Sequence, residues 1–521
     1  MRKSFAVIFV FFLVSAASIA QDGLGPIQVD GGKVSGEYVE DVHVFKGIPY
    51  AAPPIGAFRW QPPQPVQSWD GIMNANTFGN ECPQPGYPEG SLYARPKLPQ
   101  GEDCLNLNIW TEILSTTAKR PVMVWIHGGG FTRGSGATPT YNGTQLAKKG
   151  VVLVTINYRL GVYGFFAHPE LSAESEQKSS GNYGLHDMIA ALKWVKKNIS
   201  QFGGNPNNVT IFGESAGSLA VSNLIGTPLA RDLFHKAIGQ SGAALSPMPE
   251  LSEEVNGIKS AEQVGLDFMA ATGATNLDEL RALSSEKLLD IFINDEKGKE
   301  FRSRANIDGW MYKESVMQAY NRGRHNDVPA LVGFNQDEMT AFVPESRIPK
   351  TVEDYVTYMV NLHRGDYKEF SQLYPVNEVA DIKDAFIRSR TEAGFGLSMD
   401  TWARKTVEGN SPAFLYYFTR TPPIPNNEYY GAFHAAEITY AFNNTRLRPQ
   451  NYNEVDEKLA DTISDYWVNF ARLGDPNGPG LPHWPVYDSV KEAYMELGDN
   501  PVWKTELRKE QMDFWERRAD W

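Results

Sequence analysis

Short apolar runs alternate along the chain with longer segments whose apolar residues recur at helical spacing. The short runs are rich in β-branched or aromatic residues and are bounded by Gly, Pro or Asn, which is typical of buried strands. They comprise Val122 to Ile126, Val151 to Ile156, Val209 to Phe212, Pro329 to Val332 and Phe414 to Phe418. Helical spacing is found from Tyr183 to Ile199 and from Leu277 to Leu289.

This alternation predicts a protein of the α/β class. Buried strands separated by helices form a mostly parallel central sheet with helices on both faces. The segment from Ile27 to Pro53 differs, because Gly, Asp and His separate its short apolar runs. We therefore expect a small antiparallel sheet at the start of the chain.

Composition and charge narrow the classes of function. The 521 residues are 42% hydrophobic and 12% aromatic, enough to bury a large core, which excludes a disordered chain. The 62 acidic side chains exceed the 49 basic ones, and the net charge is -13. Nucleic-acid binding requires a clustered surplus of Lys and Arg, so no nucleic-acid partner is expected.

The N-terminus has the pattern of an export signal. Arg2 and Lys3 precede the apolar run from Phe5 to Val14, and small residues lead to Ala20. A retained membrane anchor is the alternative, but the run is about half the length that spans a bilayer. We expect residues 1–20 to be removed, leaving a secreted or periplasmic protein with no membrane anchor and one domain over residues 21–521.

The chain has two cysteines, Cys82 and Cys104. An oxidising destination favours a disulfide between them, which would close a loop containing Tyr87 and Tyr93. Two unpaired buried thiols are the alternative. No second pair offers a metal-ligand spacing, so no metal site is expected.

The strongest chemical signal is the run from Gly213 to Gly217, with sequence GESAG, which follows a predicted strand and precedes a helix-compatible run. A sharp strand-to-helix turn exposes a nucleophilic Ser only if the residues two before and two after it are very small. Ser215 is therefore the candidate nucleophile. The N–H of Ala216 would face an oxyanion, and Glu214 would point a carboxylate into the same cavity.

A second signal is the HGGG run from His127 to Gly130, which follows another predicted strand. Consecutive glycines let backbone N–H groups converge on a substrate oxygen, so Gly129 and Gly130 would complete an oxyanion hole with Ala216. A simple Gly-rich turn is the alternative. A phosphate-binding loop is disfavoured because the run is not followed by Lys-Ser or Lys-Thr.

Taken together, these motifs resemble the type B carboxylesterases, the carboxylesterase and cholinesterase family of the α/β-hydrolase superfamily, with loops closest to bacterial members. The similar stretches cover nearly the whole mature chain. They are Phe45 to Pro54 (FKGIPYAAPP), Glu102 to Trp110 (EDCLNLNIW), Trp125 to Phe131 (WIHGGGF), Asn157 to Phe165 (NYRLGVYGF), Gly181 to Asp187 (GNYGLHD), Phe202 to Gly217 (FGGNPNNVTIFGESAG) and Trp467 to Asn477 (WVNFARLGDPN).

The resemblance implies a Ser-Glu-His triad. Glu338 in GFNQDEMTAF matches the acid of the family, and His434 in FHAAEITYAF matches its base. Ser241 in GQSG resembles a Ser near the triad acid. Hydrolysis would proceed through an acyl-enzyme, with no metal or organic cofactor, and the pKa of the base is expected near 6 to 7, as for free imidazole.

Two internal ion pairs are also implied by the resemblance, Arg59 with Glu102 and Arg159 with Asp187, with ordinary surface charge as the alternative. The loop between the cysteines has no Trp and contains Arg95 and Lys97, so neutral esters are expected to be better substrates than choline esters.

The sequence thus predicts an exported serine carboxylesterase that acts on a small-molecule ester. Two other classes stay open. An adhesion-type binding protein of the same family would lack turnover, although such proteins typically lose a triad residue. An amidase or lipase would use the same machinery, and the sequence does not assign the pockets that separate them, the physiological ester or the oligomeric state.

Overall fold

The computed structural model describes residues 25–88, 90–447 and 451–519. The predicted export signal, residues 1–20, lies outside these ranges. Within them, no helix is both long and apolar enough to cross a membrane.

Strands in the described ranges form one large and one small sheet. They are β1 (Ile27–Val29), β2 (Gly32–Ser35), β3 (Glu37–Val39), β4 (Val42–Pro49), β5 (Ile72–Asn74), β6 (Asn106–Thr111), β7 (Arg120–Ile126), β8 (Val152–Ile156), β9 (Gly204–Glu214), β10 (Lys236–Gln240), β11 (Ala330–Asn335), β12 (Ala413–Phe418), β13 (Tyr494–Leu497) and β14 (Val502–Lys504). The large sheet has the order β14-β13-β12-β11-β10-β9-β7-β8-β6-β4-β3.

The middle of the large sheet is parallel, from β13 through β12, β11, β10, β9 and β7 to β8. Antiparallel strands lie at both edges, β14 on one side and β6, β4 and β3 on the other. Parallel strands present their carboxyl ends at one edge of the sheet, where ligand sites of α/β proteins are found.

The α-helices of the described ranges include some that cover the two faces of this sheet and others that form a separate cluster. They are α1 (Thr144–Lys148), α2 (Gly161–Phe165), α3 (Pro169–Glu174), α4 (Tyr183–Asn198), α5 (Ala216–Gly226), α6 (Ala261–Thr272), α7 (Leu277–Ala282), α8 (Ser285–Asn294), α9 (Val316–Asn321), α10 (Val352–His363), α11 (Tyr367–Leu373), α12 (Val379–Thr391), α13 (Leu397–Gly409), α14 (Asn427–Tyr430), α15 (Ile438–Ala441), α16 (Glu454–Leu473) and α17 (Lys509–Glu516).

The side chains of β7 show how the two faces are built. Val122 and Val124 enter the core cluster that also contains residues of α4 and α5, whereas Met123 and Trp125 enter the cluster formed with α16. Successive side chains of a strand point to opposite faces, so both sets are buried only when helices cover both sides. The predicted α/β class, with a mostly parallel centre, is confirmed.

One predicted helix is wrong in extent. The apolar residues from Leu277 to Leu289 do not form a single helix but α7 and α8, separated at Leu283 and Ser284. Leu283 is extended, and the hydroxyl of Ser284 accepts a hydrogen bond from the N–H of Lys287, which starts a new helix. Apolar spacing alone did not reveal this break because it continues across the cap.

The lead-in strands divide between the two sheets. β1 pairs antiparallel with β2, as expected, but the third strand of the small sheet is β5, which runs parallel to β2. β3 and β4 join the edge of the large sheet instead. The small sheet is therefore separate and mixed rather than wholly antiparallel.

Three predicted links are present. Cys82 and Cys104 form a disulfide. Arg159 binds Asp187 through its Nε and Nη2 atoms at 2.8 and 2.7 Å, and both side chains are buried. Arg59 likewise contacts Glu102, with its Nε 2.8 Å from the carboxylate. A buried charge requires such a partner, so these pairs hold the segments that surround the site.

Candidate active site

Ser215 lies at the sharp turn between β9, which ends at Glu214, and α5, which begins at Ala216. Its backbone has φ 55° and ψ -122°, a conformation that is strained for a residue with a Cβ. The N–H of Ser215 donates to the carbonyl of Gln240 at 2.8 Å, which ties the turn to β10.

The two flanking glycines make this turn possible. A Cβ on Gly217 would lie 2.0 Å from the carbonyl oxygen of Ile126, and a Cβ on Gly213 would lie 2.5 Å from the carbonyl carbon of Gly217. Neither separation is possible between non-bonded atoms. The sequence argument for small residues two before and two after Ser215 therefore agrees with the packing.

His434 and Glu338 meet beside this turn. His434 Nδ1 lies 2.6 Å from Glu338 Oε2, and Glu338 Oε1 accepts a hydrogen bond from the N–H of Asn335 at 2.7 Å. Glu338 is fully buried. A buried carboxylate at Nδ1 fixes the proton on that nitrogen and leaves Nε2 as an acceptor when the ring is neutral.

Asp337 holds the two loops that carry these side chains against each other. Its N–H donates to the carbonyl of Ala432 at 3.0 Å, and its carboxylate accepts from the N–H of Ala432 at 2.9 Å. Glu338 follows the end of β11, whereas His434 lies in the long connection after β12. These paired hydrogen bonds therefore set the distance between the acid and the imidazole.

The other nitrogen of His434 faces Glu214. His434 Nε2 lies 3.0 Å from Glu214 Oε1, and the hydroxyl of Ser215 makes no hydrogen bond to any described residue. The structure thus brings Glu338, His434 and Glu214 together and leaves the Ser215 to His434 hydrogen bond unformed. Such bonds are often loose before substrate binds.

The charges of this cluster are strongly coupled. Burial alone would lower the pKa of His434, but the carboxylates of Glu214 and Glu338 outweigh it and raise that pKa. Burial raises the pKa of Glu214, while the imidazole opposes this rise. Glu214 and His434 therefore titrate as a coupled pair, and the pKa of His434 lies above the 6 to 7 expected for free imidazole.

The glycine loop packs directly on the Ser215 turn. A Cβ on Gly128 would lie 2.7 Å from the backbone carbonyl oxygen of Glu214, so only Gly fits there. Gly129 and Gly130 have φ 101° and 65°. Among the described residues, the N–H groups of Gly129, Gly130 and Ala216 donate no hydrogen bond, which leaves them available to a substrate oxygen.

His127 supports this loop and stays uncharged. Its ring stacks on Tyr158 with centroids 4.4 Å apart, and the hydroxyl of Tyr158 donates to the His127 carbonyl at 2.7 Å. Burial lowers the pKa of His127 to about 4. It is therefore a neutral structural residue at physiological pH, distinct from His434.

A second layer of polar side chains behind the acid was not identified from the sequence. Glu437, which is buried, accepts hydrogen bonds from Gln240 Nε2 at 2.8 Å and from Asn335 Nδ2. Trp467 Nε1 in turn donates to Gln240 Oε1 at 3.1 Å. The sequence signal that could have revealed this layer was the position of Asn335 and Gln240, two amide side chains at the carboxyl ends of adjacent strands.

Ser241 lies at the end of β10, buried, with φ 58°. Its N–H donates to the Gly333 carbonyl at 2.8 Å, which joins the ends of β10 and β11. Its hydroxyl makes no hydrogen bond to the carboxylate of Glu338 in the described structure. The backbone of Ser241, rather than its side chain, is what positions the neighbouring strand.

Aromatic side chains border His434. The rings of Phe342 and Phe395 have centroids 4.8 and 5.0 Å from the imidazole, and the hydroxyl of Tyr93 donates to the His434 carbonyl at 2.9 Å. Tyr93 thus links the disulfide loop to the site. In that same loop, Arg95 is paired with Glu81, so its charge is compensated rather than directed at a substrate.

Comparisons with known proteins identify the family of the chain. Residues 25–515 match the family described as the carboxylesterase family. The fumonisin B1 esterase of Sphingopyxis macrogoltabida is 38% identical over 461 residues, covering 86% of this chain and 82% of that protein. Carboxylesterase 5A of Mus musculus is 33% identical, covering 98% of this chain and 91% of that protein.

Solved structures give the same result for the fold. A PNB esterase is 31% identical with a TM-score of 0.78, covering 94% of this chain and all of that chain. A thermophilic PNB esterase is 30% identical with a TM-score of 0.79 and the same coverage of this chain. Both share the large mixed sheet with helices on its two faces.

Proposed function

The chain belongs to the carboxylesterase family and is a carboxylic ester hydrolase with the α/β-hydrolase fold, and we propose that Ser215, His434 and Glu338 are its catalytic triad. The observation that carries this assignment is the 2.6 Å contact between His434 Nδ1 and the buried carboxylate of Glu338, beside the strained turn of Ser215. A nucleophile, a base and a group that orients the base are the parts that acyl transfer needs.

In the first half of the reaction, neutral His434 accepts the proton of Ser215 through Nε2 as Oγ attacks the ester carbonyl. For this step the imidazole turns its Nε2 lone pair from Glu214 toward Ser215. Glu338 keeps the remaining proton on Nδ1 and stabilises the imidazolium. The alcohol then leaves with the proton that His434 returns, and the acyl group stays on Ser215.

The negative charge of the tetrahedral intermediate is held by backbone N–H groups. Gly129 and Gly130 contribute from the loop after β7, and Ala216 contributes from the first turn of α5. Donors that are already oriented need no rearrangement during the reaction, and removing one such donor from a serine hydrolase costs about 3 to 4 kcal/mol. Water then attacks the acyl-enzyme by the same steps, which require no metal or organic cofactor.

Glu214 is proposed to balance the charge of the imidazole. With the imidazole protonated, its ionised carboxylate stabilises the cation at 3.0 Å; with the imidazole neutral, its own proton satisfies the buried carboxyl group. We also propose that residues 1–20 are an export signal and that the mature domain works in an oxidising compartment, which the Cys82 to Cys104 disulfide supports.

The test is Ser215→Ala with Ser252→Ala, at an exposed serine, as the matched control. Ser215→Ala should lose nearly all turnover of a 4-nitrophenyl ester while its melting temperature stays close to wild type. An organophosphate should add one label to wild type and to the control, on Ser215 by peptide mass. A label on another serine, or substantial turnover by Ser215→Ala, would refute the assignment.

A further inference from the structure

A cavity of about 640 Å³ opens beside the glycine loop. Gly130, whose N–H is one proposed oxyanion donor, and Thr132 lie on one side of it, and Pro85 of the disulfide loop lies near them. Other residues of the lining come from the end of α8 and the segment that follows it. The cavity is lined by Pro85, Gly130, Thr132, Arg133, Phe292, Ile293, Lys299, Phe301, Arg302, Ser303 and Arg304.

The charged residues of this lining are all cationic: Arg133, Lys299, Arg302 and Arg304. The chain as a whole carries 62 acidic and 49 basic residues, so a cavity lined by cations alone runs against its overall charge. None of these four side chains forms an ion pair with another described residue. Uncompensated cations that converge on one cavity indicate that an anion belongs there.

The hydrogen bonds of the arginines hold them in place without neutralising them. Arg302 donates to the carbonyl of Lys299 at 2.7 Å, and Arg133 lies over the ring of Tyr87, 5.3 Å from its centroid. Burial and the charge of Arg302 lower the pKa of Arg304, as expected for two cations that lie close together.

The acidic residues adjacent in sequence do not line the cavity. Asp295 accepts hydrogen bonds from the N–H groups of Lys297 and Gly298 at 2.9 and 3.0 Å. Glu300 is exposed and is not among the residues that line the cavity. Neither carboxylate lines the cavity, so the four cations face it unopposed.

The apolar part of the lining indicates how the anion is attached. Phe292, Ile293 and Phe301 supply apolar side chains to the lining, beside the cations. A ligand that fits this arrangement has a hydrocarbon segment with a carboxylate at its far end. Arginine guanidinium groups match carboxylates through paired hydrogen bonds, which are about twice as strong as neutral ones.

We propose that this cavity binds a free carboxylate carried by the ester substrate, so that the enzyme prefers esters that bear a second, ionised carboxyl group. This inference rests on the proposed function, because it places the ester carbonyl at the N–H of Gly130. The carboxylate is carried by either half of the ester, and each half is tested separately below.

The experiment compares ester pairs of the same shape that differ in charge. On the acyl side, monoethyl adipate is compared with ethyl 6-oxoheptanoate, in which a methyl ketone replaces the carboxylate. On the alcohol side, 3-carboxypropyl butyrate is compared with 4-oxopentyl butyrate. Wild type should show a kcat/KM ratio of charged to neutral ester of at least about tenfold in one pair, decreasing as salt screens the cations.

Variants link this preference to the cavity. Arg302→Gln/Arg304→Gln should bring the ratio of the preferred pair to within about threefold of one. The matched control is Lys119→Gln/Arg231→Gln, which also removes two exposed cations but at the amino ends of β7 and β10, opposite the site. The control should keep the wild-type ratio.

The outcomes separate this inference from the proposed function. Ratios of one or less in both wild-type pairs, with the neutral esters hydrolysed, would overturn the carboxylate site and leave the esterase assignment intact. A preference that persists in Arg302→Gln/Arg304→Gln, or that the control also loses, would likewise overturn it. Loss of turnover on all four esters, together with no label on Ser215, would instead point to failure of the proposed function.

Discussion

Glu214→Gln should shift the pH dependence of hydrolysis toward acid. The carboxylate lies 3.0 Å from His434 Nε2 and has the largest charge effect of the three carboxylates, Glu214, Glu338 and Glu437, that raise the pKa of the imidazole. Replacing it with an amide of the same shape removes that charge and keeps the packing. The neutral, active form of His434 should then persist to lower pH, so the acid limb of kcat/KM moves down.

The size of the shift follows from the geometry. Two charges about 4 Å apart interact by about 4 kcal/mol at an effective dielectric constant of about 20, and one pKa unit is about 1.4 kcal/mol. The full charge of Glu214 would therefore change the pKa of His434 by about three units. Glu214 is itself partly protonated, since burial raises its pKa, and the charge of Glu338 remains. We therefore expect an acid limb about 1 to 2 units lower.

The assay is kcat/KM for a neutral ester from about pH 5 to pH 9.5, with ionic strength held constant, since this parameter reports the groups of the free enzyme. Glu353→Gln, an exposed glutamate at the start of α10, is the matched control and should keep the wild-type profile. An acid limb in Glu214→Gln that stays within about 0.3 units of wild type, or moves to higher pH, would refute the coupling.

Three further results are expected. Glu338→Gln should lower kcat by about 10³-fold or more, because the imidazolium loses its supporting charge; circular dichroism checks the fold, and a loss below tenfold would contradict the role. Gly217→Ala should abolish activity and lower the unfolding free energy, measured in urea titrations, by about 1 to 3 kcal/mol or more. The reason is that the new Cβ would lie 2.0 Å from the carbonyl oxygen of Ile126. A urea midpoint equal to that of wild type would show that the turn adapts. Butyrylcholine should have a lower kcat/KM than the isosteric neutral ester 3,3-dimethylbutyl butyrate. The disulfide loop has no Trp, and the cations of the cavity repel a quaternary ammonium. A tenfold preference for the choline ester would show that Phe342 and Phe395 form a cation-binding site.

Much of the framework was determined locally and was therefore predictable. The alternation of buried strands and helices specifies a parallel sheet with two covered faces, because a strand that is apolar on both sides needs helices on both sides. The glycines around Ser215 were equally informative, since the turn tolerates no Cβ at Gly213 or Gly217 whatever the rest of the fold does. The extent of α7 and α8 could not be predicted, because a serine at a helix start and a serine on a helix surface look alike in sequence.

The arrangement of the site was decided only by tertiary structure. Glu338 and His434 are 96 residues apart and meet because the loops after β11 and β12 lie side by side at the carboxyl edge of the sheet. Glu437 and Gln240 become partners across 197 residues for the same reason. Family resemblance matched the first pair, but no local pattern marks the second.

The charge environment also depended on packing. Glu214 was recognised beside Ser215, but its contact with His434, and hence the coupling of their pKa values, results from the orientation of two loops distant in sequence. The cationic cavity likewise combines Arg133 with Arg302 and Arg304, which no stretch of sequence presents as a cluster. Steric requirements act between neighbours along the chain and can be read there, whereas electrostatic fields sum over all groups that the fold brings close together.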